Sequence, residues 1–198
     1  MQRRLELHDD PLDTLSAWYE AAERARVPFA DAMSLATATS DGRPSLRYVL
    51  YKGVDARGVR FFTNYESRKG RELAANPWAA LGFFWSPLYC QVRVEGRAER
   101  LPAEESDAYY RTRERLSQLG AWASPQSRPI GSRAELDRLT AEVTERFEGR
   151  EVPRPPHWGG FVVIPERFEF WVGQEHRLHD RHVFSRRGAA WERSRLAP

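Results

Sequence analysis

The sequence predicts an α+β fold in which helices flank a mostly antiparallel sheet or barrel. Three observations support this: short strand-like segments joined by tight turns near the start, a helical middle region, and strand-like segments again near the end. We expect a single domain spanning residues 1–198. Within it, residues 1–9 form an N-terminal extension and residues 150–159 a Pro-rich connector to the C-terminal strands.

The first half of the chain begins with an amphipathic helix. Asp10 is typical of an N-cap and Pro11 of the first helical position, and the helical spacing continues to about Ala25. The segments MSLATAT and PSLRYVLYKGV, joined by SDGR, predict a hairpin, and VRFFTN predicts a third strand. Ser67 can cap a short helix, RKGRELAAN, which Pro77 ends.

The second half starts with another strand pair, WAALGFFW and YCQVRVEGRAERL. Two helices are predicted next: PAEESDAYYRTRERL, and SRAELDRLTAEVTERF with a capping box from Ser132 to Glu135. Two or three final strands follow, in FVVIP, RFEFWVG and HRLHDRHVF. In QVRVE, Gln91, Arg93 and Glu95 are expected to share a polar face.

Composition excludes several classes of protein. A single cysteine, Cys90, rules out an internal disulfide framework and a Cys-rich zinc site. The formal charge of +3 comes from nearly balanced signs without a basic tract, which disfavours a nucleic-acid partner. We expect no secretory signal and no membrane span, hence a cytoplasmic location. Walker, GxGxxG, GxSxG and HExxH motifs are absent from the sequence.

Three segments carry candidate chemistry. In SRKGREL, Arg68 and Lys69 fall in the first helical turn, where cations are unfavourable unless an anion binds; a solvated pair of surface charges is the alternative, and this segment alone does not exclude it. Tyr109, Arg113 and Ser117 are spaced four residues apart and so lie close together along a helix. They form either a clamp for a phosphate or part of an exposed helix surface with ion pairs.

The third segment is HRLHDR. On a strand, Arg177, His179 and Arg181 share one face. An anionic or aromatic ligand on that face would reduce the charge repulsion among these side chains. An exposed edge strand is the alternative. A metal site at His176, His179 and His182 is disfavoured, because a three-residue spacing alternates faces on a strand.

Taken together, DPLDTL, LRYVLYKG, FFTNYESRKGREL, QVRVEG, SQLGAW, HWGGF, FEFWVGQEHRLHDR and RLAP resemble the pyridoxine/pyridoxamine 5′-phosphate oxidase family. The resemblance runs from about Asp10 to Pro198. It implies a split β-barrel homodimer with FMN at the subunit interface and a small phosphorylated pyridine as substrate. The implied reaction is hydride transfer to flavin N5, followed by reoxidation by O2 to H2O2, with NH3 released from the amine substrate.

The resemblance also implies roles for residues. Arg177 and His179 would be catalytic and contact the pyridine ring, and Lys52, Tyr109, Arg113 and Ser117 would bind the substrate phosphate. The residues that would bind FMN are Arg47, Tyr48, Val49, Leu50, Tyr51, Lys52, Phe62, Thr63, Arg68, Lys69, Gln91, Gln126, Ser127, Trp171 and Arg181. Arg47 and Lys52 are an odd number apart, so a bulge or a site shared between subunits is expected.

The chain departs from the family pattern in two places. Cys90 stands where an arginine often precedes the QV motif, and the start lies too close to DPLDTL for the basic segment that closes over substrate. Two alternatives stay open: a related flavin oxidase acting on phenazine precursors, and a non-catalytic flavin- or haem-binding split-barrel protein.

Overall fold

The computed structural model describes residues 5–198. Its helices are α1 (Pro11–Arg24), α2 (Arg68–Ala75), α3 (Ala103–Arg111), α4 (Arg115–Ala123) and α5 (Arg133–Arg146). Its strands are β1 (Ala32–Ala38), β2 (Pro44–Leu50), β3 (Val54–Asp55), β4 (Gly58–Asn64), β5 (Trp78–Trp85), β6 (Cys90–Arg100), β7 (Trp158–Val172), β8 (Asp180–Arg187) and β9 (Ala190–Leu196). The predicted α+β class is confirmed.

All strand pairs are antiparallel, in the order β2-β1-β5-β6-β7-β4-β3, with β8 and β9 added beside β7. Beyond the end of β2, the N–H of Lys52 donates to the carbonyl of Arg60, and the N–H of Arg60 donates to the carbonyl of Gly53. These bonds join the first strand region to β4. They close the sheet into the predicted barrel.

Strand β7 organises the molecule because its two halves have different neighbours. Residues 158–163 pair with β4, whereas residues 167–172 pair with β8, and β6 runs along both halves. The predicted strands FVVIP and RFEFWVG are therefore one strand, which corrects the expectation. A register shift opposite Glu95 and Gly96 leaves Glu166 without a partner and accommodates Pro165, which has no N–H to donate.

The main core lies between α1 and the inner faces of β1, β4, β5, β6 and β7. Trp18 of α1 is fully buried and meets Phe170 edge-to-face, with the ring centroids 5.1 Å apart. Asp10 caps α1 through the Leu12 N–H, and Ser67 caps α2 through the Gly70 N–H, as predicted. In β6, Cys90, Val92 and Val94 are buried, so Gln91, Arg93 and Glu95 do share the outer face.

Two further expectations about the elements are wrong. The predicted helix PAEESDAYYRTRERL ends at Arg111 because the N–H groups of Thr112 and Arg113 bond to carbonyls only three residues back, and α4 starts afresh at Arg115. Strand β9 was not predicted, since AWERSRL is a largely exposed edge with only Trp191 packed inward, against Phe168.

None of the helices formed by residues 5–198 combines the length and apolar character that crossing a membrane requires.

Candidate functional site

A cavity of about 650 Å³ opens between the end of β2, strand β4, the start of α2 and the α3–α4 junction. It brings together many of the residues singled out in the sequence: Tyr48, Val49, Leu50, Lys52, Phe62, Thr63, Lys69, Tyr109, Arg113, Ser117 and Gln126. Glu114 and Trp158 also line it and were not predicted. Residues distant in sequence therefore form one concave surface, the usual arrangement of a ligand site.

One end of the cavity is the N-terminal turn of α2. The ammonium group of Lys69 donates to the hydroxyl oxygens of Thr63 (3.1 Å) and Ser67 (3.4 Å) and to the Gln126 side-chain oxygen (3.0 Å). All three acceptors are neutral. Burial, together with the nearby charge of Arg47, lowers the pKa of Lys69 to about 8. The group is thus a cation whose charge the surrounding protein does not balance.

The buried carboxylate of Glu72 lies behind this turn. It accepts hydrogen bonds from the hydroxyls of Thr37 and Ser45 and from the guanidinium groups of Arg47 and Arg68. Burial alone would raise the pKa of Glu72, but these four donors hold it at about 2. The carboxylate is therefore ionised at neutral pH and fixes both arginines.

Aromatic rings form another part of the cavity wall. The rings of Phe62 and Tyr109 are stacked with their centroids 3.9 Å apart, and Phe62 is also stacked on Trp158 at 5.5 Å. Arg113 lies 4.6 Å from the centroid of Trp158, and its buried Nη1 atom has no hydrogen-bond partner among the described residues. Burial lowers the pKa of Arg113. A buried, unpaired guanidinium N–H is costly unless a ligand accepts from it.

The break between α3 and α4 changes the geometry expected for the phosphate clamp. Tyr109 lies on α3, Arg113 in the connection and Ser117 on α4, so they do not follow one continuous helix. The connection is held by Gln118, which donates to the Tyr110 carbonyl and whose own carbonyl accepts from the Tyr110 hydroxyl. All three predicted residues still line the same cavity.

Arg47 and Lys52 lie in different places, as their odd spacing indicated. Arg47 donates hydrogen bonds to Glu72 and to the carbonyl of Leu35, whereas Lys52 lines the cavity and forms an ion pair with Asp31 at 3.2 Å. No bulge is needed, because β2 ends at Leu50 and strand alternation no longer governs Lys52. Between them Tyr51 is buried in the core, against Tyr19 and Phe83.

Gln91, Trp171, His179 and Arg181 form a second cluster on the C-terminal half of the sheet, and Arg177 lies in the exposed turn just before His179. Trp171 pairs with Gln91 on one side and with Arg181 on the other. HRLHDR is not a regular strand: residues 175–177 form a single 3-10 turn, and β8 starts only at Asp180. The predicted common face of Arg177, His179 and Arg181 is therefore wrong, because His176 (φ 54°) and Arg177 (φ 63°) have left-handed backbone conformations.

His179 is held in one orientation. Its Nδ1 accepts from the N–H of Gln174 at 3.1 Å, so the neutral ring carries its proton on Nε2. The ring centroid lies 4.5 Å from that of Trp171. Tyr89, which was not predicted, meets both Trp171 and His179 edge-on, and its carbonyl accepts from the Gly173 N–H at 2.8 Å.

The polar face beside this cluster is organised by a second buried carboxylate. Glu169, which is 1% exposed, accepts from Arg93, Arg167 and Arg181. Burial would raise its pKa, but Arg181 and Arg93 lower it overall. Arg181 also donates to the carbonyl of Ala197. Its guanidinium is thus largely occupied within the chain.

The remaining predicted residues lie at the margins. Arg68 and Ser127 are exposed and do not line the cavity, although Ser127 is adjacent to Gln126, which does. Within residues 5–198, no three His, Cys, Asp or Glu side chains are grouped as metal ligands would be. Cys90 is buried, which raises the pKa of its thiol to about 12.

A larger cavity, of about 720 Å³, lies between the N-terminal segment and β8–β9 and contains His182, Arg193 and Arg195. It includes none of the predicted site residues. We place the site in the smaller cavity, because stacked rings and two cations without carboxylate partners are gathered there.

Two family models match the chain. The model described as pyridoxamine 5′-phosphate oxidase covers residues 19–147, and the pyridoxine 5′-phosphate oxidase C-terminal dimerisation region covers residues 158–198. Among curated proteins, the chain is 59% identical to a pyridoxine/pyridoxamine 5′-phosphate oxidase of Rubrobacter xylanophilus, over 96% of this chain and 87% of that protein. It is 52% identical to the protein of that name from Myxococcus xanthus, over 100% and 96%.

Solved structures give the same picture. PhzG from Burkholderia lata, in complex with tetrahydrophenazine-1-carboxylic acid, superposes with a TM-score of 0.92 at 36% identity, over 98% of this chain and 95% of that one. A pyridoxamine 5′-phosphate oxidase-related, FMN-binding protein of Nostoc punctiforme superposes with a TM-score of 0.76, over 97% and 100% of the two chains. At 16% identity, the second comparison supports the fold alone.

Proposed function

The chain belongs to the pyridoxamine 5′-phosphate oxidase family, and from that premise we propose that it oxidises pyridoxine or pyridoxamine 5′-phosphate to pyridoxal 5′-phosphate. One observation carries the proposal. A single cavity contains two cationic groups that no carboxylate of the described chain neutralises, Lys69 at the α2 turn and Arg113 beside stacked aromatic rings. Each cation would bind a phosphate: Lys69 that of the cofactor, and Arg113 that of the substrate.

The α2 end of the cavity suits FMN. Arg47 and Arg68 are bonded to one carboxylate, Glu72, and Lys69 lies near Arg47, so these four groups carry a net charge of about +2 that a phosphate dianion would balance. Tyr48, Val49, Leu50, Phe62 and Gln126 would hold the rest of the cofactor. When bound, FMN would accept the hydride from the substrate and pass the electrons to O2, giving H2O2.

The aromatic end of the cavity suits the substrate phosphate. Arg113 would donate its unpaired Nη1 hydrogen to a phosphate oxygen, and the hydroxyls of Tyr109 and Ser117 would donate beside it. Lys52, already paired with Asp31, would add a further positive charge. A ring compound without an anionic group would leave the buried Nη1 of Arg113 unpaired, so the cavity favours substrates that carry one, such as a phosphate ester.

The second cluster would complete the site from another copy of the chain. Within one chain the cavity does not include Trp171, Arg177 or His179, and residues 158–198 match a dimerisation region. Apolar side chains also lie exposed on β2 and β5, where a partner would cover them; these are Leu46, Tyr48, Leu50 and Phe84. We propose a homodimer in which each site combines the cavity of one subunit with the second cluster of the other.

In that site, Arg177 and His179 would act on the substrate ring. Arg177 would orient the ring by bonding to one of its polar substituents and would stabilise the charge distribution that develops during hydride transfer. The Gln174 N–H fixes the His179 tautomer, so His179 Nε2 would donate a hydrogen bond to a ring substituent.

The second candidate is an oxidase of phenazine precursors, favoured by the close superposition with PhzG. The two functions differ in the anion that Arg113 would meet: a substrate phosphate in the first, and a carboxylate on the ring in the second.

Oxygen uptake by the purified protein tests the choice. We expect a yellow protein that consumes O2 with pyridoxine and pyridoxamine 5′-phosphates and is far less active with the unphosphorylated vitamers. A flavin-loaded protein that turns over neither phosphate, yet oxidises a reduced phenazine carboxylic acid, would support the second candidate. A protein without flavin would contradict both.

A further inference from the structure

We propose that Glu72 is a positioning residue that makes the site prefer a phosphorylated flavin over riboflavin. Its carboxylate would hold Arg47 and Arg68 in the orientation that receives the flavin phosphate. The inference rests on the proposed FMN site and assigns to that site a residue outside the cavity lining.

The contacts of Glu72 join three separate elements. Thr37 comes from β1, Ser45 and Arg47 come from β2, and Arg68 lies one helical turn before Glu72 on α2. Arg68 donates through Nε to one carboxylate oxygen at 2.8 Å, and Arg47 donates through Nη2 to the other at 3.2 Å. The two guanidinium groups are therefore fixed relative to each other by a single carboxylate.

Glu72 differs from an ordinary surface ion-pair partner. It is 6% exposed, whereas the side chain of Arg68 is 59% exposed. The buried carboxylate thus holds an arginine that is otherwise exposed to solvent, in the first turn of α2 next to Lys69. Ordering a long side chain before the ligand arrives reduces the entropy lost on binding.

Charge balance gives the carboxylate a second effect. Without Glu72, Arg47, Arg68 and Lys69 would bring three positive charges together, and Arg47 already lowers the pKa of Lys69. Repulsion would drive the exposed Arg68 away from the turn. With Glu72 present, the net charge of about +2 matches a phosphate dianion, and the cations can stay close together.

A structural role for Glu72 predicts a different result from a positioning role. Loss of packing between β1, β2 and α2 would weaken the binding of every flavin. Loss of phosphate positioning would weaken FMN but spare riboflavin, which has the same ring system without the phosphate. The ratio of bound FMN to bound riboflavin therefore separates the two roles.

The test is a competition experiment on the purified holoenzyme. Wild-type protein and Glu72→Ala are equilibrated with mixtures of FMN and riboflavin. The bound flavins are then released, separated by chromatography and quantified, which gives the ratio of bound FMN to bound riboflavin. We expect the preference for FMN to fall about tenfold in Glu72→Ala, the size of effect typical of disturbed hydrogen bonds to charged groups. Glu72→Gln, which keeps one acceptor oxygen, should lose about threefold.

Glu105→Ala is the matched control, because Glu105 also accepts two hydrogen bonds from an arginine, Arg57, but lies outside the cavity. Its FMN preference should equal that of the wild type. An unchanged or increased preference in either folded Glu72 variant would overturn the inference. If Glu72→Ala does not fold, Glu72→Gln decides alone. A wild-type protein that binds no flavin would instead contradict the proposed function.

Discussion

The two halves of β7 support two clusters that use arginine and lysine in opposite ways. Beside residues 158–163, Lys69 and Arg113 line a cavity and contact neutral oxygens or aromatic rings. Beside residues 167–172, Arg93, Arg167 and Arg181 are all bonded to the buried carboxylate of Glu169. The first half thus has two cations, Lys69 and Arg113, without a carboxylate partner among the described residues, whereas the second half uses three arginines to hold the sheet.

This difference indicates what each half contributes. The cavity half is prepared to bind anions before any ligand arrives. In the other half, Arg177 has no hydrogen-bond or ion-pair partner among residues 5–198 and lies in an exposed turn with left-handed residues, and nearby His179 uses only Nδ1, in its bond with Gln174. Backbone strain of this kind persists where surrounding structure enforces it and is frequent at functional sites. We therefore propose that the first half binds the phosphate groups of cofactor and substrate, and that the second half orients the substrate ring.

The largest expected effect comes from removing the free arginine of the second half. Arg177→Ala should lower kcat/KM by about 100-fold while changing FMN affinity little, because Arg177 would contact the substrate ring and not the flavin. Steady-state oxygen uptake and flavin titration measure the two quantities. Equal losses in both would show that Arg177 serves the cofactor instead.

A smaller effect is expected from the free arginine of the first half. Arg113→Ala should raise the KM for the phosphorylated substrate about tenfold with kcat nearly unchanged, because the lost bond is made equally before and during the reaction. Arg111→Ala, an exposed arginine at the end of α3, is the matched control. A drop in kcat without a change in KM would refute the phosphate assignment.

The pH dependence of cofactor binding sharpens the contrast further. Lys69 is charged below its pKa of about 8 and loses that charge as the pH rises, so its attraction for phosphate falls in the alkaline range. For a single proton, FMN affinity should fall about fivefold between pH 8 and 9. In Lys69→Met, fluorescence titration should give a weaker affinity that is flat over this range. A slope that persists in the variant would assign it to another group.

The smallest expected effect compares the two buried carboxylates directly. Glu169→Gln should weaken FMN and riboflavin binding to the same extent. The arginines bonded to Glu169 hold the strands beside Trp171, on the part of the site that would contact the flavin ring system common to both. The ratio of bound FMN to riboflavin should stay at the wild-type value, unlike in Glu72→Ala. A selective loss of FMN in Glu169→Gln would mean that Arg181 or Arg93 also reaches the phosphate.

Local patterns predicted much of the fold and many of the residues that line the candidate cavity. The caps at Asp10 and Ser67, the alternation in β6 and the cations in the first turn of α2 depend on residues within a few positions of each other. Such relations survive in the folded chain because helix and strand periodicities fix them. Glu72 could have been found in the same way, since it lies four residues after Arg68.

The second half of the site was harder to predict, because its geometry depends on distant contacts and backbone conformation. Alternation assumed a strand through HRLHDR, but positive φ values at His176 and Arg177 interrupt it, and such values are uncommon for residues other than glycine. Tyr89 reaches His179 and Trp171 only through the pairing of β6 with β7. The separation of the site residues into two clusters is likewise a property of the whole sheet.

The contact between Tyr89 and Gly173 has a consequence for mutational tolerance. A Cβ at position 173 would lie 2.0 Å from the Tyr89 ring, which occupies the space that a side chain would need. Positions 89 and 173 are therefore epistatic: Gly173→Ala should be harmful beside tyrosine and much better tolerated beside a small residue at 89. In a library that varies one position at a time, Gly173 would look indispensable, although the constraint belongs to the pair.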